Sequence, residues 1–198
     1  MSYTFSRRDF MKYTAVAAVA VAGSSMFTGC SLGSNPNRPV GKIGDTLKPG
    51  SKICDAKLLG GDSDKPKYDS TKNTLTCKFS IYTRVGQLEI DQKHFQLDVT
   101  DKDGKRLGGF FDGSSDATVT ISGGSAAGVK QYETVEPTVT FTFTGTTPHL
   151  NSAKSISVLY IPKRAANGQP TDSYSDIYAT WIFTPDQMAG YTAPSDGD

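Results

Sequence analysis

The chain has 198 residues, including 20 glycines and 10 prolines, and 36% of its residues are hydrophobic. Its formal net charge is +1, with both signs interspersed, so it lacks the clustered basic excess typical of proteins that bind nucleic acid or an anionic membrane surface. The length allows one domain after removal of an export signal, and the patterned apolar runs exclude disorder of the whole chain.

The first 29 residues have the features of an export signal. Residues 6–12 read Ser-Arg-Arg-Asp-Phe-Met-Lys and resemble the twin-arginine consensus at every defined position, including Arg7, Arg8 and Phe10. The Ala- and Val-rich stretch that follows is shorter than the ~20 apolar residues that a membrane-spanning helix needs. We therefore expect a cleaved twin-arginine signal peptide over residues 1–29, the alternative being an uncleaved N-terminal anchor helix.

The signal ends in a candidate lipid-attachment site. The sequence Phe27-Thr28-Gly29-Cys30 resembles the bacterial lipobox, in which small residues precede a cysteine that receives diacylglycerol, although Phe27 replaces the usual leucine. Residues 30–50 are polar and rich in Gly, Pro, Ser and Asn, which predicts a flexible linker between a lipidated Cys30 and the folded domain. The alternative is a plain cleaved signal, an incidental cysteine and a secreted protein.

From residue 51 onward, apolar and polar residues alternate with the period of a β-strand. The alternation predicts about seven strands, over residues 52–59, 74–83, 94–100, 117–122, 135–144, 155–161 and 177–183. In the second of these, the inward residues are Leu75, Cys77, Phe79 and Ile81. No segment has helical periodicity, so the sequence predicts an all-β, two-sheet sandwich over residues 51–190, with an open barrel as the alternative. The polar residues 191–198 are expected to form a disordered tail.

Two loops are singled out by their glycine content. The sequence Asp101-Lys102-Asp103-Gly104-Lys105 lies where a hairpin turn is expected, because Asp-Gly tolerates the positive φ values of such turns. The glycine-rich residues 123–128 do not join a strand to a helix, so they are not expected to hold a phosphate, and we expect a mobile loop tip there.

Cys54 and Cys77 are both expected to point inward. An even pair of cysteines in an exported domain predicts a disulfide bond between them. The alternative is a pair of buried free thiols that pack as small hydrophobic side chains.

Few residues suggest a metal site. Asp62, Asp64 and Asp69 lie in one loop and are candidate calcium ligands because calcium takes carboxylate oxygens, although Asp is also an ordinary turn residue. His94 is expected at an outward strand position and His149 in a loop. Because His and Cys ligands are not clustered, no copper, zinc or other cofactor is predicted.

The sequence offers no nucleophile with an evident base and no G-x-S-x-G elbow. We therefore expect a protein that is not an enzyme, with a hydrolase that uses loop carboxylates as an alternative. Tyrosine is enriched at interfaces, and an interaction surface is predicted in the Tyr82/Tyr178 region.

Residues 94–105 carry the pattern F-x-L-x-x-x-D-x-D-G-K, from Phe95 to Lys105. This pattern resembles a strand and turn of the small immunoglobulin-like domains in lipoproteins of Gram-positive bacteria, a group that includes a secreted mycobacterial immunogenic antigen. Residues 82–86 depart from the Asn-rich end that the family carries after its second strand. The resemblance implies an immunoglobulin-like sandwich displayed outside the cytoplasm, and it supplies no catalytic residues.

Together these features predict a monomeric lipoprotein on the outer face of the cytoplasmic membrane. The expected function is binding of an unidentified envelope protein or ligand, with no nucleic acid involved and with the membrane reached through the lipid on Cys30. A small-ligand or calcium carrier is the first alternative, and a hydrolase is the second.

Overall fold

The structure is a computed structural model that describes residues 37–50, 52–144, 150–164 and 177–193. These residues form fifteen β-strands and three short 3₁₀ turns, at Gln92–His94, Leu150–Ser152 and Pro185–Gln187. In chain order the strands are β1 Val40–Gly41, β2 Thr46–Leu47, β3 Cys54–Leu58, β4 Lys67–Asp69, β5 Thr74–Thr83, β6 Leu88–Ile90, β7 Phe95–Thr100, β8 Arg106–Phe111, β9 Ala117–Ser122, β10 Ser125–Val129, β11 Thr134–Val135, β12 Thr138–Phe143, β13 Ser155–Tyr160, β14 Lys163–Arg164 and β15 Ala179–Phe183. Within the described ranges, no helix is long and apolar enough to cross a membrane.

The strands form two large sheets and one small sheet. The five-stranded sheet has the order β1-β15-β13-β7-β8, and β1 is parallel to β15 while the other neighbours are antiparallel. The second large sheet has the order β2-β3-β5-β12-β9, and β4 and β11 also pair with β5. The small sheet, β10-β6-β14, adjoins the first residues of β7 and the last residues of β13.

Aromatic side chains join the two large sheets. The Phe79 ring on β5 lies 5.0 Å from that of Phe95 and 5.6 Å from that of Trp181, which belong to the five-stranded sheet. Phe110 and Phe143 make a second contact across the sheets, at 5.1 Å. All five side chains are buried. The predicted two-sheet sandwich is therefore confirmed.

The long strand β5 organises the second sheet. Its inward residues Leu75, Cys77, Phe79 and Ile81 are fully buried, as the alternation predicts. The same strand pairs with four others, with β4 and β3 along one edge and with β12 and β11 along the other. Pro137 separates β11 from β12, because it has no N–H to donate to a ladder, and its carbonyl accepts the amide of Phe79 instead.

Several strands were not expected from the sequence. β8 was missed because its paired glycines, Gly108 and Gly109, interrupt the alternation, and the two- and three-residue strands are too short for a period to be visible. The expected loop tip at residues 123–128 is wrong in part, since Ser125–Val129 forms β10 and pairs with β6. The hairpin turn is confirmed, because Asp101 Oδ1 accepts the amides of Asp103 and Lys105 between β7 and β8.

The predicted disulfide is wrong. Both cysteines are buried, as expected, and both are free. The register places Cys54 opposite Thr83, whereas Cys77 lies six residues earlier on the same strand β5 and opposite Val139. At about 3.3 Å of rise per residue the two Cα atoms are separated by roughly 20 Å, far beyond the ~7 Å that a disulfide can bridge.

The folded part begins before residue 51. Residues 37–50 belong to the predicted linker, yet they include β1 and β2, and Leu47 is buried. Asp45 is held to the core because its carbonyl accepts the indole N–H of Trp181 at 3.0 Å. The predicted signal residues Arg7, Arg8 and Phe10, the lipidation site Cys30, His149 and the tail residues 194–198 lie outside the described residues.

The register defines two ends of the sandwich. At the first end, Tyr160 is opposite both Phe95 and Ala179. Tyr178, the residue before Ala179, donates its backbone amide to the carbonyl of Asn37. We call this the Asn37 end. At the opposite end lie the turn at residues 101–105 and Leu107 of β8, and we call this the hairpin end.

The second sheet also has one extremity at the Asn37 end. From Phe79, which touches Phe95, β5 runs on to Thr83, and Thr83 is opposite Cys54. Phe110, which is opposite Leu97 and so lies two residues nearer the hairpin end than Phe95, touches Phe143, the residue after the Thr142–Thr74 pair at the other extremity of β5. Thr83 and the loop that follows β10 are therefore at the Asn37 end.

Candidate functional site

The three candidate calcium ligands are not brought together as a metal site. The Asp64 carboxylate lies 2.7 Å from Lys78 Nζ, and this hydrogen bond holds the pKa of Asp64 below its usual value. Asp62 pairs with Lys65 at 3.3 Å, and Asp69 accepts two backbone amides in its own turn. Within the described ranges, no three His, Cys, Asp or Glu side chains converge. The lysines beside these carboxylates would also repel a cation.

His94 does not have the outward position expected from the sequence. It closes the 3₁₀ turn Gln92–His94 instead of starting the strand, and only 4% of its surface is exposed. Both ring nitrogens are buried, and Nε2 lies 3.5 Å from a Glu89 carboxylate oxygen. Burial, with smaller contributions from Lys93 and Lys163, lowers the pKa of His94 to about 4. This residue is therefore a neutral side chain near pH 7.

The structure separates the two tyrosines that the sequence grouped as an interaction surface. Tyr178 is buried beside the five-stranded sheet, and the Arg38 guanidinium lies 5.3 Å from the centre of its ring. Tyr82 belongs to β5 in the other sheet. The two tyrosines therefore do not form one surface, and only Tyr82 is considered further as part of an interaction surface.

Tyr82 belongs to a row of planar groups at the Asn37 end. Its ring is stacked with that of Tyr132, with centroids 6.5 Å apart and an angle of 29° between the planes. The Arg84 guanidinium lies 5.8 Å from the centre of the Tyr82 ring and donates two hydrogen bonds, of 2.8 and 2.7 Å, to the Asp55 carboxylate. We call these four residues, Asp55, Tyr82, Arg84 and Tyr132, the tyrosine patch.

The pairing of β3 with β5 brings the side chains of the tyrosine patch together. Asp55 is directly opposite Tyr82 in the β3–β5 ladder, and Arg84 follows the end of β5. The paired guanidinium lowers the pKa of Asp55, chiefly through their hydrogen bonds. The patch therefore keeps a carboxylate and a guanidinium in fixed positions beside two aromatic faces at neutral pH.

The loop that carries Tyr132 is pinned to the sheet. Tyr132 has φ 64°, a left-handed conformation that costs a residue with a Cβ about 1 kcal/mol. Its amide donates to the Thr83 carbonyl at 2.7 Å, and the buried Thr83 hydroxyl donates to the carbonyl of Lys130. Gln131 adds a hydrogen bond from its amide group to the Arg84 carbonyl, at 2.8 Å.

This strained loop leaves an aromatic side chain in solvent. Tyr132 is 66% exposed, the largest exposure among the described large hydrophobic side chains. Burial in the core therefore does not explain the conformation of Tyr132. Sequence analysis missed Tyr132, although one aromatic residue among the polar residues 130–134 was a usable signal.

Comparison with known proteins identifies the export signal. The family model of the twin-arginine translocation (TAT) pathway signal sequence matches residues 4–24. The protein is therefore exported across the cytoplasmic membrane. No curated protein matches the sequence.

Three solved structures are distantly similar to the chain. AvmM, described as catalysing macrocyclization in alchivemycin A biosynthesis, is 9% identical over 74% of this chain and 93% of its own, with a TM-score of 0.38. The secreted protein MPT63 of Mycobacterium tuberculosis is 17% identical over 72% of this chain and 96% of its own, with a TM-score of 0.33. YcdA of Bacillus subtilis, assigned as a lipoprotein, is 14% identical over 67% of this chain and 37% of its own, with a TM-score of 0.34. None of the three assigns an activity, a ligand or a partner to this protein.

Proposed function

We propose that this protein is a non-enzymatic, lipid-anchored module of the cell envelope that binds another envelope component through the tyrosine patch. The observation that carries the proposal is the exposed Tyr132, held in a left-handed backbone conformation by buried Thr83. The left-handed backbone at Tyr132 and the exposure of its ring both cost free energy of folding, so we attribute them to binding.

The chemistry of the patch suits binding better than catalysis. Two aromatic faces, a guanidinium and a carboxylate offer stacking and hydrogen bonding to a partner. The Asp55 carboxylate is already engaged by Arg84 through two hydrogen bonds, so it is poorly placed to act as a general base.

The lipid anchor is proposed from the sequence. Cys30 ends the twin-arginine signal with a lipobox-like pattern, and six residues separate it from the first described residue, Asn37. Small residues that precede a cysteine at the end of an export signal are the arrangement expected of a lipoprotein. An acyl group on Cys30 would keep the domain at the outer face of the cytoplasmic membrane.

Site-directed photo-crosslinking in the cells that make the protein tests the binding role. A crosslinking amino acid replaces Tyr132, and the matched control carries it at Leu107, which is also exposed but lies at the hairpin end. We expect an adduct of defined mass from position 132 and none from position 107. Equal labelling at both positions, or labelling at neither, would contradict the proposed role of the patch.

Intact-mass spectrometry of the same preparations tests the anchor. We expect a mature chain that begins at Cys30 and carries the mass of a diacylglycerol group. A mature chain without this mass would show a secreted protein and would remove the anchor from the proposal.

A further inference from the structure

We propose that the component bound by the tyrosine patch is the headgroup layer of the membrane to which Cys30 is attached. The inference rests on the lipid anchor of the proposed function. It makes the patch a docking surface that holds the sandwich end-on against the bilayer.

The first step is the position of the patch in the fold. The Asn37 carbonyl accepts a hydrogen bond from the amide of Tyr178, the residue before β15. The amide of Tyr132 donates a hydrogen bond to the carbonyl of Thr83, the last residue of β5. Both contacts lie at the Asn37 end, because Phe79 of β5 touches Phe95, which is opposite Tyr160, and β5 runs on from Phe79 to Thr83, away from the Phe110–Phe143 contact. The chain therefore enters the domain at the end that displays Tyr132.

The second step is the length of chain between the lipid and the domain. Six residues, 31–36, lie between Cys30 and Asn37. Even when fully extended, the seven peptide units from Cys30 to Asn37 span at most about 25 Å. An acylated Cys30 sits at the membrane surface, so the tether keeps Asn37 within about 25 Å of the bilayer and places no such limit on the hairpin end.

The third step is the chemistry of the exposed groups. Tyrosine is enriched where a membrane meets water, because its ring is apolar and its hydroxyl is polar. Arg84 and Lys130 flank the two tyrosines and can donate to headgroup phosphates, while Asp55 and Glu133 keep the local charge small. Docking would therefore depend on the tether and the aromatic rings, and a neutral lipid should support it.

Fluorescence quenching tests the docking with the acylated protein in phosphatidylcholine vesicles that carry brominated acyl chains. The chain has a single tryptophan, Trp181, and it is fully buried, so it serves as an internal reference. The variant Tyr132→Trp adds an indole at the patch, and the matched control Leu107→Trp adds one at the hairpin end. We expect the brominated lipid to remove roughly half of the added emission of Tyr132→Trp, since interfacial side chains reach the acyl boundary, and to leave that of Leu107→Trp unchanged.

The outcomes separate the inference from the proposal on which it rests. If both variants float with the vesicles and neither added indole is quenched, the anchor stands and membrane docking is wrong. Stronger quenching of Leu107→Trp would reverse the orientation and also overturn the inference. If the protein does not float, the anchor itself fails. If a crosslinker at position 132 labels a protein while Tyr132→Trp is not quenched, the partner is a protein and the lipid surface is excluded.

Discussion

Buried His94 should make the protein lose stability in mild acid. Its ring has a pKa of about 4 in the fold, whereas an unfolded histidine has a pKa of about 6.5. Between these values the unfolded chain takes up a proton that the folded chain does not. Stability is therefore fully present above about pH 6.5 and declines as the pH falls toward 4.

The size of this loss follows from the two pKa values. A difference of about 2.5 pKa units corresponds to about 3 kcal/mol at most, and about 2 kcal/mol of it should already be lost between about pH 7 and pH 4.5. The Asp91 carboxylate and a hydrogen bond with the Glu89 backbone favour a protonated ring, but burial of the ring outweighs both.

Urea unfolding at both pH values measures the effect. His94→Leu and His94→Asn remove the titrating group with one apolar and one polar side chain, and both should lose about 2 kcal/mol less than the wild type on acidification. His149→Asn, which removes the other histidine of the chain, is the control and should retain the loss. The reasoning is refuted if the two His94 variants have the same pH dependence as the wild type.

Three further predictions concern the fold. Cys54 and Cys77 should stay free. In the variant Cys30→Ala, which leaves only these two cysteines, a reductant should not change the melting temperature, and thiol titration in denaturant should find two thiols. A reductant-dependent shift of the melting temperature would contradict this. Gly128→Ala should lower the free energy of unfolding, measured in urea, by at least about 1 kcal/mol more than Gly113→Ala does, which is roughly the penalty of overpacking. Both glycines have positive φ, but only at position 128 would the added Cβ approach the Gln87 backbone, at 2.8 Å. Trp181→Phe should cost about 2 kcal/mol, because the Asp45 carbonyl loses its donor and the core loses volume; a loss below about 0.5 kcal/mol would show that this hydrogen bond contributes little.

Alternation predicted the fold where one face of a strand is buried. Leu75 and Phe79 could be assigned to the core because their neighbours in sequence are polar and half-exposed or exposed. The rule was insufficient for β7, where Gln96 and Asp98 of the expected outward face are also buried. Asp98 lies there because the Arg106 guanidinium donates to it at 2.7 Å from the neighbouring strand, a pairing that depends on the β7–β8 register.

The tyrosine patch could not be derived from the sequence because its members are distant in the chain. Tyr82 and Tyr132 are brought together by Thr83, whose hydroxyl and carbonyl hold a loop about 50 residues away. The disulfide prediction failed for a related reason. Two inward cysteines on adjacent strands satisfy the sequence rule, but only the register shows that Cys77 lies six positions along β5 from Thr83, the partner of Cys54.

Free thiols also agree with the export route. Twin-arginine signals direct proteins that cross the membrane after folding in a reducing compartment, and a core that needs no disulfide can form there completely. Burial raises the pKa of both thiols far above their ordinary value, so they are poor nucleophiles and resist oxidation after export.

The parallel pairing of β1 with β15 determines how the domain responds to a mechanical pull on its N-terminal segment. Val40 and Gly41 lie beside Thr180 and Trp181, and the Thr180 amide donates to the Pro39 carbonyl. Ladder hydrogen bonds lie across the strands, so tension along β1 loads them together in shear, whereas a perpendicular pull would open them one at a time. A pull on the N-terminal segment would therefore be resisted first by this short ladder and by the hydrogen bond from the Trp181 indole to the Asp45 carbonyl.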